Sequence, residues 1–234
     1  MVYEEFKRVF QYKETKCTII TDVEAAIESA ISSIKRHRKQ LEVYIKANPQ
    51  FFYSLQPVHV SNGPIIANLM AEAAEKANVG PMAAVAGVLA DLAVHEMLLK
   101  GAKVAVVENG GEAFVNSNRP IDIALLAGDS PLSKHFGFRL KDFPMGVATS
   151  SGLFSHALSF GEAEAVTVFA LNAGLADAVA TAAGNLITGE KTLEAIDRGV
   201  NKALSIKGVK GVFIIFRDMI GKAGQIPQTI KLVS

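Results

Sequence analysis

Val166-Thr167-Val168-Phe169-Ala170-Leu171-Asn172-Ala173-Gly174-Leu175-Ala176-Asp177-Ala178-Val179-Ala180-Thr181 is a strand, a short polar break and a helix in sixteen letters. Four β-formers and an alanine open it. The predicted helix runs from Leu175 to Ile187, and Gly189 stands as its expected C-cap. Asp177 and Thr181 lie four apart, so a helix sets them on one face, one turn from each other. Their neighbours are almost all Ala, Val or Leu. A carboxylate and a hydroxyl are hard oxygen donors suited to Mg²⁺, which completes its octahedron with phosphate or water. Capping or an ordinary hydrogen bond also explains such a pair.

Moving outward, the last elements are a helix, Leu193 to Leu204, and a strand, Val212 to Phe216. Upstream, Tyr3 to Thr21 reads as two strands. Thr21 and Glu24 have the spacing of a capping box, and Val23, Ile27, Ile31, Ile34, Leu41 and Ile45 continue a long helix to Asn48-Pro49. The basic run Lys35-Arg36-His37-Arg38-Lys39 on that helix reads as a solvated face. Pro64 suits the first position of a second helix, and Gly80-Pro81 precedes a small-residue third. Lys103 to Val107 is a strand ending in the turn Asn109-Gly110-Gly111-Glu112, where paired glycines permit positive φ and close approach of a ligand, as they would in a plain hairpin. Phe114-Val115 and Ile121 to Leu126 follow as strands. Gly128 to Gly152 is the least regular stretch, and its end, Gly146-Val147-Ala148-Thr149-Ser150-Ser151-Gly152, reads as a hydroxyl-rich loop. There is no linker rich in Pro, Gly or Ser and no clear short repeat. The expected fold is α+β, a single domain over residues 1–234 with mixed sheets and packed helices.

Bulk properties exclude several classes. Half of the 234 residues are hydrophobic, and 24 Lys and Arg against 23 Asp and Glu leave a net charge of +1. No global field recruits nucleic acid or an acidic membrane. Cys17 is the single cysteine, which rules out an internal disulfide and a thiolate zinc cluster. The window Pro81 to Leu99 carries Asp91, His95 and Glu96 and is expected to be a core helix rather than a membrane span. Met1 to Tyr12 lacks a secretory apolar region, so a cytoplasmic location is expected.

The order of the pieces resembles the ApbE-type FAD:protein FMN transferases: Ala86-Gly87 and Asp91, then Asn109-Gly110-Gly111-Glu112, then Ala148-Thr149-Ser150-Ser151-Gly152, then Ala176-Asp177-Ala178-Val179-Ala180-Thr181. The long basic helix, Asn48-Pro49-Gln50-Phe51 and Gly80-Pro81-Met82-Ala83-Ala84-Val85-Ala86-Gly87 look most like the small archaeal and bacterial branch of ApbE-related proteins. The resemblance implies a T-fold-like α+β domain. It implies Mg²⁺ at Asp177 and Thr181, and FAD or another flavin nucleotide against Gly87, Asn109, Gly110, Gly111, Glu112, Thr149, Ser150, Ser151 and Gly152. It also implies FMN transfer to a protein threonine. Asp91 matches the family's aspartate on the earlier helix.

The chain departs from the transferases at two places. Val85-Ala86-Gly87 stands where they carry Ala-Lys-Gly, and their His-Ile-Ile-Asp-Pro stretch is missing, which leaves His156 as the candidate general base. The implied partners are a nucleotide and a protein, with a homodimer compatible. A non-catalytic accessory role in the sulfur or homocysteine metabolism of anaerobes, and an enzyme for another small substrate, are the alternative readings.

Overall fold

The computed structural model describes residues 5–125, 136–152 and 160–231. Among them, an antiparallel sheet of eight strands carries helices on one face and a three-stranded sheet on the other. The large sheet runs β1 (Phe6–Tyr12), β2 (Thr15–Thr21), β3 (Ala105–Asn109), β4 (Glu112–Asn116), β7 (Met145–Ser150), β8 (Ala165–Ala170), β9 (Val209–Phe216) and β10 (Met219–Gly224). The small sheet places β6 (Phe136–Leu140) between β5 (Ile121–Ala124) and β11 (Gln228–Lys231). Every described pairing is antiparallel, which refines the expectation of mixed sheets.

Strand alternation explains the three layers. Val166, Val168 and Ala170 of β8 pack with Val212, Ile214 and Phe216 of β9 against the helices. Their neighbours Ala165, Phe169, Phe213 and Ile215 pack against Phe138 and Leu140 of the small sheet. Covered on both faces, β8 is buried at all six positions, hence its unbroken apolar run. On the helix side, α1 (Glu24–Ala47) buries Ile27, Ile31 and Ile34 against α4 (Val85–Leu99) and strands β2 and β3. The short α2 (Pro49–Tyr53) sends Phe51 inward. Helices α3 (Ile65–Ala77), α5 (Ala173–Gly184) and α6 (Thr192–Leu204) complete the layer. The stretch 81–99, a 3-10 turn followed by α4, is long and apolar enough to cross a bilayer. Here it packs as a core helix, with Val88, Leu89, Ala90, Ala93, Val94 and Met97 buried.

Several boundaries differ from those read in the sequence. Thr21 and Glu24 form no capping box: α1 starts at Glu24 behind Val23, and the Thr21 hydroxyl accepts from the Val23 N–H at 3.2 Å. β3 runs on through Glu108 to Asn109, leaving Gly110-Gly111 as a two-residue hairpin loop with φ of 75° and 121°. Gly189 is not the cap of α5, which ends at Gly184 with Asn185 following. Residues 146–150 belong to strand β7 and not to a loop, because β8 pairs with all of them and β4 pairs with the start of the strand on its other edge.

The helix layer turns on one crossing. Helices α4 and α5 each carry Ala-Gly in the first turn and an Ala-Asp pair soon after: Ala86-Gly87 with Ala90-Asp91, and Ala173-Gly174 with Ala176-Asp177. Asp91 of α4 accepts the Ala173 and Gly174 N–H groups at 2.8 and 2.9 Å, capping α5. Asp177 of α5 returns the contact, accepting the Gly87 N–H at 3.0 Å and the Ala86 N–H. Two helix starts thus exchange their capping carboxylates. The exchange needs near contact of the backbones, and a Cβ on Gly87 would come within 2.3 Å of the Ala173 carbonyl oxygen. We expect Gly87→Ala to lower stability by about 2 kcal/mol or more, measured by urea unfolding, because backbone cannot yield as a side chain would.

Burial pushes the Asp91 carboxyl up to about 7 from 3.8, opposed by its two backbone donors. Its folded pKa lies above its unfolded one, so the folded chain holds the extra proton between these values. Asp91's contribution is then full below pH 4 and is lost as pH rises to 7. Unfolding measured at pH 4 and pH 7 should show a fall in stability that Asp91→Asn reduces by an amount on the order of a few kcal/mol. Equal falls in the two proteins would contradict this.

Candidate functional site

The crossing of α4 and α5 lies against the β3–β4 hairpin, which brings Glu112 toward Asp177. Asn109 is buried, and its amide donates to the Ala86 carbonyl at 3.1 Å, tying the hairpin to the start of α4. One residue past the glycine loop, Glu112 faces Asp177. Burial raises the Glu112 pKa well above the ordinary carboxylate value, and the charges of Asp177 and Glu108 raise it further. Asp177 is raised as well, by burial first and by Asp91 to a smaller degree, against the pull of the Gly87 and Ala86 N–H donors. The charges that act on this pair are carboxylates. No basic side chain offsets them among the described residues.

Thr181 sits one turn along α5 from Asp177. Both remain partly exposed while nearly all of the helix around them is buried. The Thr181 hydroxyl has no hydrogen-bond partner among the described residues. Ser150, at the end of β7, points at the same helix, and its hydroxyl would lie 3.5 Å from a Cβ on Gly184. Gly87, Asn109, Glu112, Ser150, Asp177 and Thr181 therefore gather on the helix side of the sheet.

The other residues singled out in the sequence go elsewhere. Thr149 points to the opposite face, where its hydroxyl meets that of Thr167 at 2.9 Å. With Glu108, Gly111, Thr18 and Phe138 these threonines line a cavity of about 340 Å³ between the two sheets. Gly111 does not offer a free donor, since its N–H is bound by the Glu108 carboxylate at 3.0 Å. Ser151 is buried, and Gly152 is pressed against the Gly161 backbone, where a Cβ would come within 1.9 Å of the carbonyl oxygen. His156 lies outside the described residues. Sequence reasoning missed Glu108, Thr167 and the capping role of Asp91. Glu108 was hidden because the strand was ended at Val107, and Thr167 because one threonine in an apolar strand carries no signal.

A divalent cation of the kind that the resemblance implies has a compatible donor set here. Asp177 and Glu112 supply carboxylates, and Thr181 supplies a free hydroxyl, all hard oxygens. No cluster of three or more His, Cys, Asp or Glu that could hold a metal by itself occurs among the described residues. A cation would therefore need ligand oxygens or water, as Mg²⁺ commonly does.

Comparison with known proteins identifies relatives by sequence and neighbours by fold. The family model described as AbpE bacteria matches residues 3–208. The chain is 42% identical over 233 residues to a UPF0280 protein of Methanococcus vannielii, covering 97% of this chain and 94% of the relative. It is also 42% identical to a UPF0280 protein of Methanocaldococcus jannaschii, covering 97% and 93%. Among solved structures it is similar to the apo form of the Pseudomonas stutzeri flavinyl transferase ApbE, with a TM-score of 0.63 at 15% identity over 96% of each chain. That likeness establishes a shared α+β fold. By sequence, the chain belongs to the ApbE-related UPF0280 family.

Proposed function

We propose that this chain binds a flavin nucleotide, FAD or a close relative, at the junction of the β3–β4 hairpin with α4 and α5, with Mg²⁺ held by Asp177, Thr181 and Glu112. The observation that carries the reading is the pair Glu112 and Asp177, two partly exposed carboxylates held by backbone N–H groups, with no basic side chain offsetting their charge among the described residues. Such a pair is stabilised by a cation and repels a bare phosphate. The usual anion receptors are already engaged: Asp177 takes the donors at the start of α4, and Glu108 takes the Gly111 N–H. A pyrophosphate at this place therefore needs a metal bridge. When bound, Mg²⁺ supplies charge neutralisation at phosphoryl oxygens.

The chain's own residues divide the work. Asp177 holds α4 in register and presents its remaining lone pairs to the cation. Glu112 is kept protonated more readily than an exposed glutamate until a cation arrives. Asn109 fixes the hairpin against α4. Transfer of FMN to a protein is the finer reading, and two features weigh against it. Ala86 stands where the transferases have a lysine, and their histidine stretch is absent.

Thr181→Val tests the site without disturbing the cap. Calorimetry with FAD in the presence of Mg²⁺ should show affinity reduced roughly tenfold, about 1.4 kcal/mol, with the melting temperature unchanged. Unaltered affinity would move the metal away from α5. Incubation of the purified protein with FAD, Mg²⁺ and a flavinylation-site peptide should leave little or no covalent flavin on the peptide. Robust labelling, seen by in-gel fluorescence and mass, would instead make this chain a transferase.

A further inference from the structure

The outer face of α1 bears a second, chemically different feature. Its inner stripe is buried, whereas Arg36, Lys39, Val43 and Ala47 turn outward and, with Tyr44 and Pro64, line an open groove of about 550 Å³. The groove is apolar along its length. Val43 is 64% exposed on one wall, and Ile65, next to Pro64 on the other, is 50% exposed. One end is basic. Arg36 is paired with Glu96 at 2.7 Å, but Lys39 has no acidic partner among the described residues, and neither does Lys46 further along α1. Elsewhere on this helix Arg38 meets Glu14 and Glu42, and Lys35 lies over the Phe10 ring. Uncompensated lysines thus coincide with uncovered aliphatic side chains on one strip.

We infer that this groove docks an acidic amphipathic helix of a partner protein, its apolar face on Val43, Tyr44 and Ile65 and its carboxylates toward Lys39. A trough bounded by a helix and the start of another accepts a helix by apolar anchors one and two turns apart. Opposite charge at the rim sets orientation and association rate. A second copy of this chain would bring a basic strip against a basic strip. A membrane surface is flat and fits a concave trough poorly. The groove is lined by different residues from those at Asp177, so the inference stands apart from the nucleotide reading.

The probe is a synthetic amphipathic peptide of about 14 residues with leucines at i, i+3, i+4 and i+7 and glutamates elsewhere, beside a twin with lysines for glutamates. Fluorescence anisotropy should show the acidic peptide binding the whole chain with a Kd of about 10–100 µM and the basic twin at least tenfold more weakly. Val43→Glu and Lys39→Glu should each cost tenfold for the acidic peptide at unchanged melting temperature, and Lys39→Glu should improve binding of the basic twin. Equal binding of both peptides, or none of the acidic one below about 1 mM, would overturn the inference. So would sedimentation showing a dimer that Val43→Glu dissociates, or flotation with phosphatidylserine vesicles that Val43→Glu abolishes.

Discussion

Helix α4 has no capping side chain of its own and α5 has Asn172, and each helix start also takes an aspartate from the other helix. A capping side chain on a helix start is worth about 1 kcal/mol, and here two such caps cross at the centre of the molecule. Asp91 binds the first N–H groups of α5, and Asp177 binds those of α4. The arrangement requires glycine at the contact and alanine around it, which accounts for the long small-residue runs in both helices. It also requires that carboxylates be carried into the interior, at a cost expressed in their raised pKa values.

That cost is also what makes the place chemically useful. A buried carboxylate held only by backbone donors retains acceptor capacity and lacks a counter-charge. The β3–β4 hairpin, tied to α4 by the Asn109–Ala86 hydrogen bond, then brings Glu112 toward Asp177. The fold therefore concentrates negative charge where a cation can relieve it. In the proposed site, capping and metal binding would be two uses of one aspartate, which already accepts the Gly87 and Ala86 N–H groups.

The elements were legible wherever periodicity was strong. α1, α3, α6 and β9 follow from apolar spacing and from the prolines at 49 and 64. The Asp177–Thr181 pair was legible as a candidate, since four residues on a helix is one turn. The capping role of Asp177 was not, because the Gly87 donor that it binds lies 90 residues away in sequence. The hydroxyl stretch 149–151 misled for a different reason. Strand alternation sends Thr149 and Ser150 to opposite faces, and a reading without a sheet cannot assign sides. The repeat of Ala-Gly and Ala-Asp in α4 and α5 was present in the letters. Its one-residue difference in spacing hid it until the two helices were seen to cross.

The most direct measurement is anomalous diffraction from crystals soaked with Mn²⁺ and FAD, Mn²⁺ standing in for Mg²⁺. The account predicts one strong manganese peak roughly 2.2 Å from a carboxylate oxygen of Asp177 and within reach of the Thr181 hydroxyl, with the pyrophosphate completing the coordination. Nucleotide bound elsewhere on the chain, or bound at the hairpin with no manganese beside Asp177, would contradict it and leave Asp177 a helix cap alone.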